Sequence, residues 1–251
     1  MVDFVGAGCG AVDLITVRGK RLLEEADVII YAGSLVNPKL LQYKKASAEV
    51  YDSAKLTLEE VITIIKQAEK EGKHTVRLHT GDPSLYGAVR EQMDLLEELG
   101  ISYQSCPGVT AAFGAAASLN MEYTLPDVSQ SLILTRMEGK TKVPEKESIE
   151  SFAKHGASMA IYLSSGMLAE LSERLIAGGY RKDTPAALVY KASWEDEKVC
   201  LCTIETLAET GRKQEITKTA IVLVGDAILH HHYERSRLYA PDFETEFRKK
   251  K

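Results

Sequence analysis

The chain has 251 residues, 45% of them hydrophobic, enough to bury one large core or two cores of roughly 100–150 residues each. Its formal charge of −5 argues against a general nucleic-acid binder, which needs a basic face to displace counterions. No apolar run approaches the ~20 residues of a membrane span, and Met1-Val2-Asp3-Phe4-Val5-Gly6 reads as a strand start rather than a signal peptide, so a cytoplasmic protein is expected.

Residues 4–8 form a short apolar strand that enters a glycine loop, and Thr16 caps a helix running to about residue 26. Val28-Ile29-Ile30-Tyr31 is a second buried strand. Thr57 and Glu60 make a capping box, and Leu58, Val61, Ile62, Ile65 and Ala68 recur at helical spacing. Gly72 then stands where a C′ glycine belongs. The strand 74–79 leads into Arg77-Leu78-His79-Thr80-Gly81-Asp82-Pro83-Ser84-Leu85-Tyr86-Gly87. That stretch reads as a strand, a Gly-Asp-Pro turn and a helix opening directly with Pro83 at its first position. In an α/β protein such a junction exposes backbone N–H groups where ligands bind; the plainer reading is an ordinary turn. The helix ends at Leu99 before Gly100, and 101–106 is another strand. Pro107-Gly108-Val109-Thr110-Ala111 turns into a small-residue helix over 112–119. Strands alternating with helices predict a parallel sheet with right-handed crossovers.

The periodicity lapses over 120–127, where Pro126-Asp127 marks a linker. Strands follow at 131–135, 158–163, 186–190, 199–204 and 219–224, with a helix over 167–177, which predicts a mixed sheet. The expected layout is two α/β domains, 1–122 and 123–230, with a ligand cleft between them and a tail over 231–251. Cys9, Cys106, Cys200 and Cys202 make no metal pattern and read as reduced packing residues.

Several familiar chemistries are weak here. Gly6-Ala7-Gly8-Cys9-Gly10-Ala11 fits a loose dinucleotide fingerprint, but the second strand ends Tyr31-Ala32-Gly33-Ser34 without the acid that would hold a ribose. A nicotinamide-dependent oxidoreductase is therefore the rival reading, not the preferred one. No P-loop lysine and no G-x-S-x-G elbow exists. His79 either contacts a ligand or packs within its strand, His155 falls on a surface helix, and His230-His231-His232 either gather a metal or, since adjacent histidines diverge, form a solvated patch, the preferred reading. Glu195-Asp196-Glu197 reads as a turn between strands. An enzyme with glycine-rich strand ends and no nucleophile would work mainly by holding two reactants in line.

Four segments in this order are similar to one known family: Gly6–Thr16 with Asp13-Leu14-Ile15-Thr16, the Thr80–Gly87 turn, Pro107-Gly108-Val109-Thr110-Ala111, and Thr219-Ala220-Ile221-Val222-Leu223-Val224-Gly225. Together they resemble the tetrapyrrole methylases, the S-adenosyl-L-methionine (SAM) enzymes of cobalamin and sirohaem synthesis, over about residues 3–229. Three more stretches resemble the branch that methylates C-11 of precorrin-4 or its cobalt form. They are Tyr31-Ala32-Gly33-Ser34-Leu35-Val36, residues 134–145, and Tyr190-Lys191-Ala192-Ser193-Trp194-Glu195-Asp196-Glu197-Lys198. A different tetrapyrrole step, or methylation of protein or RNA, is the alternative within the family.

The resemblance implies two α/β domains with SAM in the cleft between them, and a homodimer. It places SAM at Thr80, Gly81, Asp82, Leu85, Thr110, Ala111, Leu163, Ala192, Thr219 and Ala220, with Cys9 bordering the same site or simply packing there. The reaction it implies is methyl transfer from the sulfonium to a ring carbon of a tetrapyrrole, with no metal ligand and no assigned catalytic residue. Such a macrocycle carries acetate and propionate arms, so Arg136, Lys140, Lys142 and Lys191 are candidate cations for them, with Arg136 foremost. Two departures stand out. The family's Gly-x-Gly-Pro-Gly-Asp-Pro is Gly6-Ala7-Gly8-Cys9-Gly10-Ala11-Val12 here, and the missing proline is expected to free the loop. Gly33 also stands where many relatives carry Asp.

Overall fold

A computed structural model of the chain describes residues 1–229 and 233–249, so His230-His231-His232 lies outside the described residues. The chain divides into two compact units. One is Met1–Ala115 with Lys191–Glu197, the other Ala116–Tyr190 with Lys198–Lys251.

The first unit contains β1 (Val2–Gly6), α1 (Val17–Glu25), β2 (Val28–Tyr31), β3 (Glu49–Asp52), α2 (Leu58–Lys70), β4 (Thr75–His79), α3 (Arg90–Glu98) and β5 (Tyr103–Cys106), and α4 (Ala111–Ser118) begins in it. The strands lie in the order β3-β2-β4-β1-β5, and every pairing is parallel. Both faces are covered, which is why β1, β2 and β4 are almost wholly buried. On one face α1 brings Leu22 and Leu23 against Val5, Ile29, Val76 and Leu78. On the other, α2 and α3 bring Val61, Ile65 and Leu96 against Phe4, Val28 and Ile30. Each fully buried side chain of this size contributes roughly 1.5–3 kcal/mol. Local signals set the helix ends. The Thr16 hydroxyl accepts from Gly19 N, Thr57 and Glu60 form the reciprocal capping box, and Gly72 and Gly100 take φ of 68° and 67°.

The second unit contains β6 (Leu132–Arg136), α5 (Ile149–Ala153), β7 (Ser158–Tyr162), α6 (Leu168–Ala177), β8 (Pro185–Tyr190), β9 (Lys198–Thr203), α7 (Leu207–Lys213) and β10 (Ala220–Val224). Its sheet runs β6-β7-β10-β8-β9, with β6 and β7 parallel and the other pairs antiparallel, so it is mixed. Ile149, Leu168, Leu171, Leu175 and Leu207 of the three helices cluster with Met159, Ile161, Leu188 and Val222.

Two local expectations are corrected. Pro83 does not open a helix: residues 83–86 form a turn and α3 starts at Arg90. Tyr86 and Ala88 take positive φ (55° and 48°), which helical geometry forbids. His155 lies just past α5, two residues beyond its last helical residue Ala153. Among the described residues no helix is long and apolar enough to cross a membrane.

Candidate functional site

In the first sheet β4, β1 and β5 are neighbours, and the register sets Gly6 beside His79 and Val5 beside Cys106. The helices following β1 and β4 pack on opposite faces of the sheet, so the chain leaves these adjacent strands in opposite directions. At such a divergence, outside the carboxyl ends of the strands, open α/β sheets as a class hold their ligands. The loops there are tied by backbone. Gly8 N donates to Gly81 O (3.3 Å) and Gly81 N to Gly8 O (2.8 Å). Gly6, Gly81 and Gly108 meet main chain to main chain: a Cβ on Gly6 would lie 2.6 Å from Gly108 Cα and 2.7 Å from Gly81 O. Gly81, at φ +60°, faces Thr110, whose Cα would lie 3.5 Å from an added Cβ, with Ala111 N at 4.0 Å. Asp82 completes the junction. Its Oδ2 accepts from Gly108 N (2.9 Å), and its Oδ1 from Ser84 N (2.8 Å) and Ser84 Oγ (2.5 Å). Burial acts to raise the Asp82 carboxyl, but the bonds from Ser84 and Gly108 outweigh it and hold the group below the usual carboxylate range. Leu85 N donates to Asp82 O (3.3 Å), which closes the turn beside Thr80 and Gly81.

Cys9 is buried at the tip of the first loop, with its Sγ 3.3 Å from Ser193 Oγ, and burial raises its thiol. A Cβ on Gly114 would come within 2.5 Å of Cys9 Sγ and 3.6 Å of Ala192 Cβ, so the loop, α4 and Ala192 pack together. The first loop is not freed by the lack of proline. Ser193 and Trp194 bond to it, a role that periodicity does not reveal because their partners lie some 180 residues away. Thus Cys9, Gly81, Asp82, Thr110, Ala111 and Ala192 form one contiguous cluster, with Thr80 and Leu85 on its turn.

The second unit assembles another group of strand ends. Arg136 pairs with Tyr162, Val222 with Ile161 and Ala220 with Tyr190, which puts Arg136, Leu163, Thr219 and Ala220 at one end of that sheet. Leu163 is 64% exposed at φ 53°, and Thr219 takes φ 56°. Left-handed backbone at branched or bulky residues is costly and clusters at functional sites. Behind Leu163, the fully buried Ser164 accepts from Met137 N (2.9 Å) and donates to Tyr162 O (2.7 Å). The Arg136 guanidinium donates to three carbonyls, Met137 O (3.0 Å), Thr141 O (3.2 Å) and Lys142 O (3.0 Å), and so gathers the loop that carries exposed Lys140 and Lys142. Lys191 is committed elsewhere: its Nζ is 2.6 Å from Asp196 and 5.2 Å from the Trp194 ring centre.

His79 belongs to the core. It is 5% exposed, stacks on Phe4 at 6.1 Å, and is pushed down to about 3 by burial and then by the Arg77 charge. Arg77, equally buried, donates through Nε to Gln92 Oε1 and through NH1 to Ile30 O, both at 2.9 Å, and burial lowers it to about 10. Neither group is available as a catalytic acid or base near neutral pH.

Comparison with known proteins places this arrangement among relatives. The family model for tetrapyrrole (corrin/porphyrin) methylases matches residues 1–208. A cobalt-precorrin-4 C(11)-methyltransferase of Methanocaldococcus jannaschii is 52% identical over 248 residues, 99% of this chain and 96% of that protein. A precorrin-4 C(11)-methyltransferase of Pseudomonas aeruginosa is 42% identical over 247 residues, covering 98% of each. The X-ray structure of a cobalt-precorrin-4 methyltransferase, a cobalamin biosynthetic enzyme, superposes with a TM-score of 0.89 at 44% identity, covering 90% of this chain and 95% of that one.

Proposed function

The chain belongs to the tetrapyrrole methylase family, and from that premise we propose that it is a SAM-dependent C-methyltransferase that methylates C-11 of precorrin-4 or cobalt-precorrin-4 in cobalamin biosynthesis. One observation carries this reading: 52% identity to a cobalt-precorrin-4 C(11)-methyltransferase over nearly the whole of both chains. The direct test incubates the purified protein with SAM and each form of precorrin-4. One methyl is expected to appear on the macrocycle by mass; no methylation of any tetrapyrrole would overturn the proposal. A homodimer in the cytoplasm belongs to the same proposal, and light scattering at twice the chain mass is its check.

The first-unit cluster fits a nucleoside–amino acid cofactor. Its glycines pack main chain to main chain, and Thr110, Ala111 and Ala192 beside them are small, so no bulky side chain of the cluster stands between a ligand and these loops. The residues assigned to SAM are Cys9, Thr80, Gly81, Asp82, Leu85, Thr110, Ala111 and Ala192 there, with Leu163, Thr219 and Ala220 of the second unit. Bound SAM supplies an electrophilic methyl group on a sulfonium. The chain's own work is orientation and exclusion of water, which in aligned reactions lowers barriers by ~7–11 kcal/mol. Asp82 orders the turn rather than reacting. Asp82→Ala strips three hydrogen bonds and leaves Gly108 N–H without its acceptor, a cost of roughly 1–3 kcal/mol. Affinity for S-adenosylhomocysteine by calorimetry should fall about tenfold to a hundredfold; wild-type affinity would remove Asp82 from the site.

Arg136, Lys140 and Lys142 are assigned to the macrocycle's carboxylates, with Arg136 acting partly through the loop it gathers. Lys191, already paired with Asp196, is the weakest of the four candidates. Arg136→Ala should raise the KM for the tetrapyrrole several-fold and leave SAM affinity unchanged. An unaltered tetrapyrrole KM would exclude it.

A further inference from the structure

β8 and β9 pair antiparallel from Pro185–Thr203 to Tyr190–Lys198, a geometry that a two-residue turn can close. The chain instead uses the seven residues Lys191–Glu197, and these pack with the first unit. Four contacts define what they do there. Trp194 Nε1 donates to Cys9 O (3.1 Å). Ala11 N donates to Ser193 Oγ (3.0 Å), and the same hydroxyl lies 3.3 Å from Cys9 Sγ. A Cβ on Gly10 would overlap Trp194 Cδ1 and come within 2.7 Å of Ala192 O, so the loop must be bare at that point. A further carbonyl of the loop, Gly10 O, accepts from Asn37 Nδ2 (2.9 Å).

The segment is itself held in a conformation that it would not adopt alone. Lys191 and Ser193 are both left-handed, with φ of 47° and 67°. Strain of that kind persists only where surrounding contacts over-determine it. Here Ser193 N donates to Glu197 Oε2 (2.5 Å), Lys191 pairs with Asp196 and lies over the Trp194 ring, and Lys39 pairs with Glu195. A plain connection between strands needs none of these bonds.

We infer that Lys191–Glu197 is a strap that fixes the Gly8–Ala11 loop, with Trp194 and Ser193 as positioning residues for the cofactor site. The inference rests on the reading that this loop borders that site. Because Ala192 sits inside the strap, fixing the loop also fixes one of the residues assigned to the cofactor.

The test uses the full chain and S-adenosylhomocysteine. Trp194 is the single tryptophan, so its emission reports on the strap without labelling. Saturating wild-type protein with the ligand should change that emission. Trp194→Phe keeps a ring against Gly10 and removes only the N–H; Ser193→Ala removes only the hydroxyl. Each should raise the Kd, measured by calorimetry, and the SAM KM by about 3–10-fold, the scale of one lost hydrogen bond. Ser193→Gly, which removes the same hydroxyl where the left-handed backbone (φ 67°) suits glycine, should weaken binding to a similar extent. Ligand-free melting temperatures should stay near wild type, because the strap is partly exposed. Wild-type Kd in both variants, or emission that ignores the ligand, would overturn the strap. If the wild-type protein itself fails to bind in the calorimeter, the cofactor reading falls and takes the strap with it. Binding by wild type with unchanged variants sinks the strap alone.

Discussion

Gly108→Ala is expected to cut affinity for S-adenosylhomocysteine at least tenfold and to lower the melting temperature, whereas Gly139→Ala should do neither. The Cβ added at position 108 would overlap the Gly81 carbonyl oxygen and lie 2.8 Å from Gly6 Cα and 2.9 Å from Gly6 C. All of these are main-chain atoms, so no side chain can swing aside. Relief must come from moving the 81 carbonyl, which accepts from Gly8 N, or from parting β1 from β5, which are paired through Val5 and Cys106. Overpacking of this sort costs typically ~1–3 kcal/mol. Part of that cost falls on the turn itself, because Gly108 N is also the donor to Asp82 Oδ2. Since ~1.4 kcal/mol is a factor of ten in affinity, even the middle of that range is easily read by calorimetry. Gly139 has nothing within 4 Å of the same added atom, so it controls for the substitution itself. Wild-type affinity in Gly108→Ala would show that the three-glycine junction takes no part in binding.

The contrast between those two glycines also marks what a sequence reveals. The alternation of strand and helix in the first half was legible because both faces of its sheet are covered, leaving apolar runs at β1, β2 and β4 and a clear 3.6-residue period in α2. Thr57 with Glu60, and Gly72 and Gly100, announced helix ends because their partners are a few residues away. Contacts across long separations leave no such trace. The donor to Asp82 Oδ2 lies 26 residues along the chain, and the acceptor for Trp194 lies 185 residues back. Asp82-Pro83 therefore reads as a helix start, although the carboxylate is drawn to Ser84 and Gly108 and the helix waits until Arg90. The turn Glu195-Asp196-Glu197 was visible, but not that it belongs to a strap over the first loop. The cation at Arg136 was visible as well; that three carbonyls take its donors was not. β3 leaves no signal in the sequence because Glu49-Val50-Tyr51-Asp52 is a four-residue edge strand, too short and too polar to show a period.

A second large effect is expected from acid. Lowering the pH from 7 to 5 should cost wild-type protein about 2 kcal/mol of stability through His79 alone, and His79→Phe should lose that part of the dependence. The folded chain holds this imidazole at about 3, against an ordinary 6.5, because burial disfavours the cation and Arg77 repels it. The folded state therefore binds fewer protons than the unfolded chain between these values. Stability is fully present above 6.5 and is lost as the pH falls towards 3, with a slope near 1.4 kcal/mol per pH unit. Because pH 5 lies well above the folded value, the loss there is set almost wholly by the unfolded chain. Carboxylates held low, such as Glu150 bonded by the Arg174 guanidinium, lose their contributions only below the ordinary carboxylate range near 4.3. The window from 5 to 6.5 is therefore dominated by histidine. His74, bonded to Asp3, is common to both proteins and cancels in the comparison. Phenylalanine suits position 79 physically: the ring already stacks on Phe4, and Nε2 is buried without a hydrogen-bond partner, so the replacement sacrifices no bond at that atom. Urea unfolding at pH 5, 6 and 7 measures the difference. The wild-type and variant curves should diverge as the pH falls, and parallel curves would mean that the imidazole at position 79 takes up its proton without unfolding.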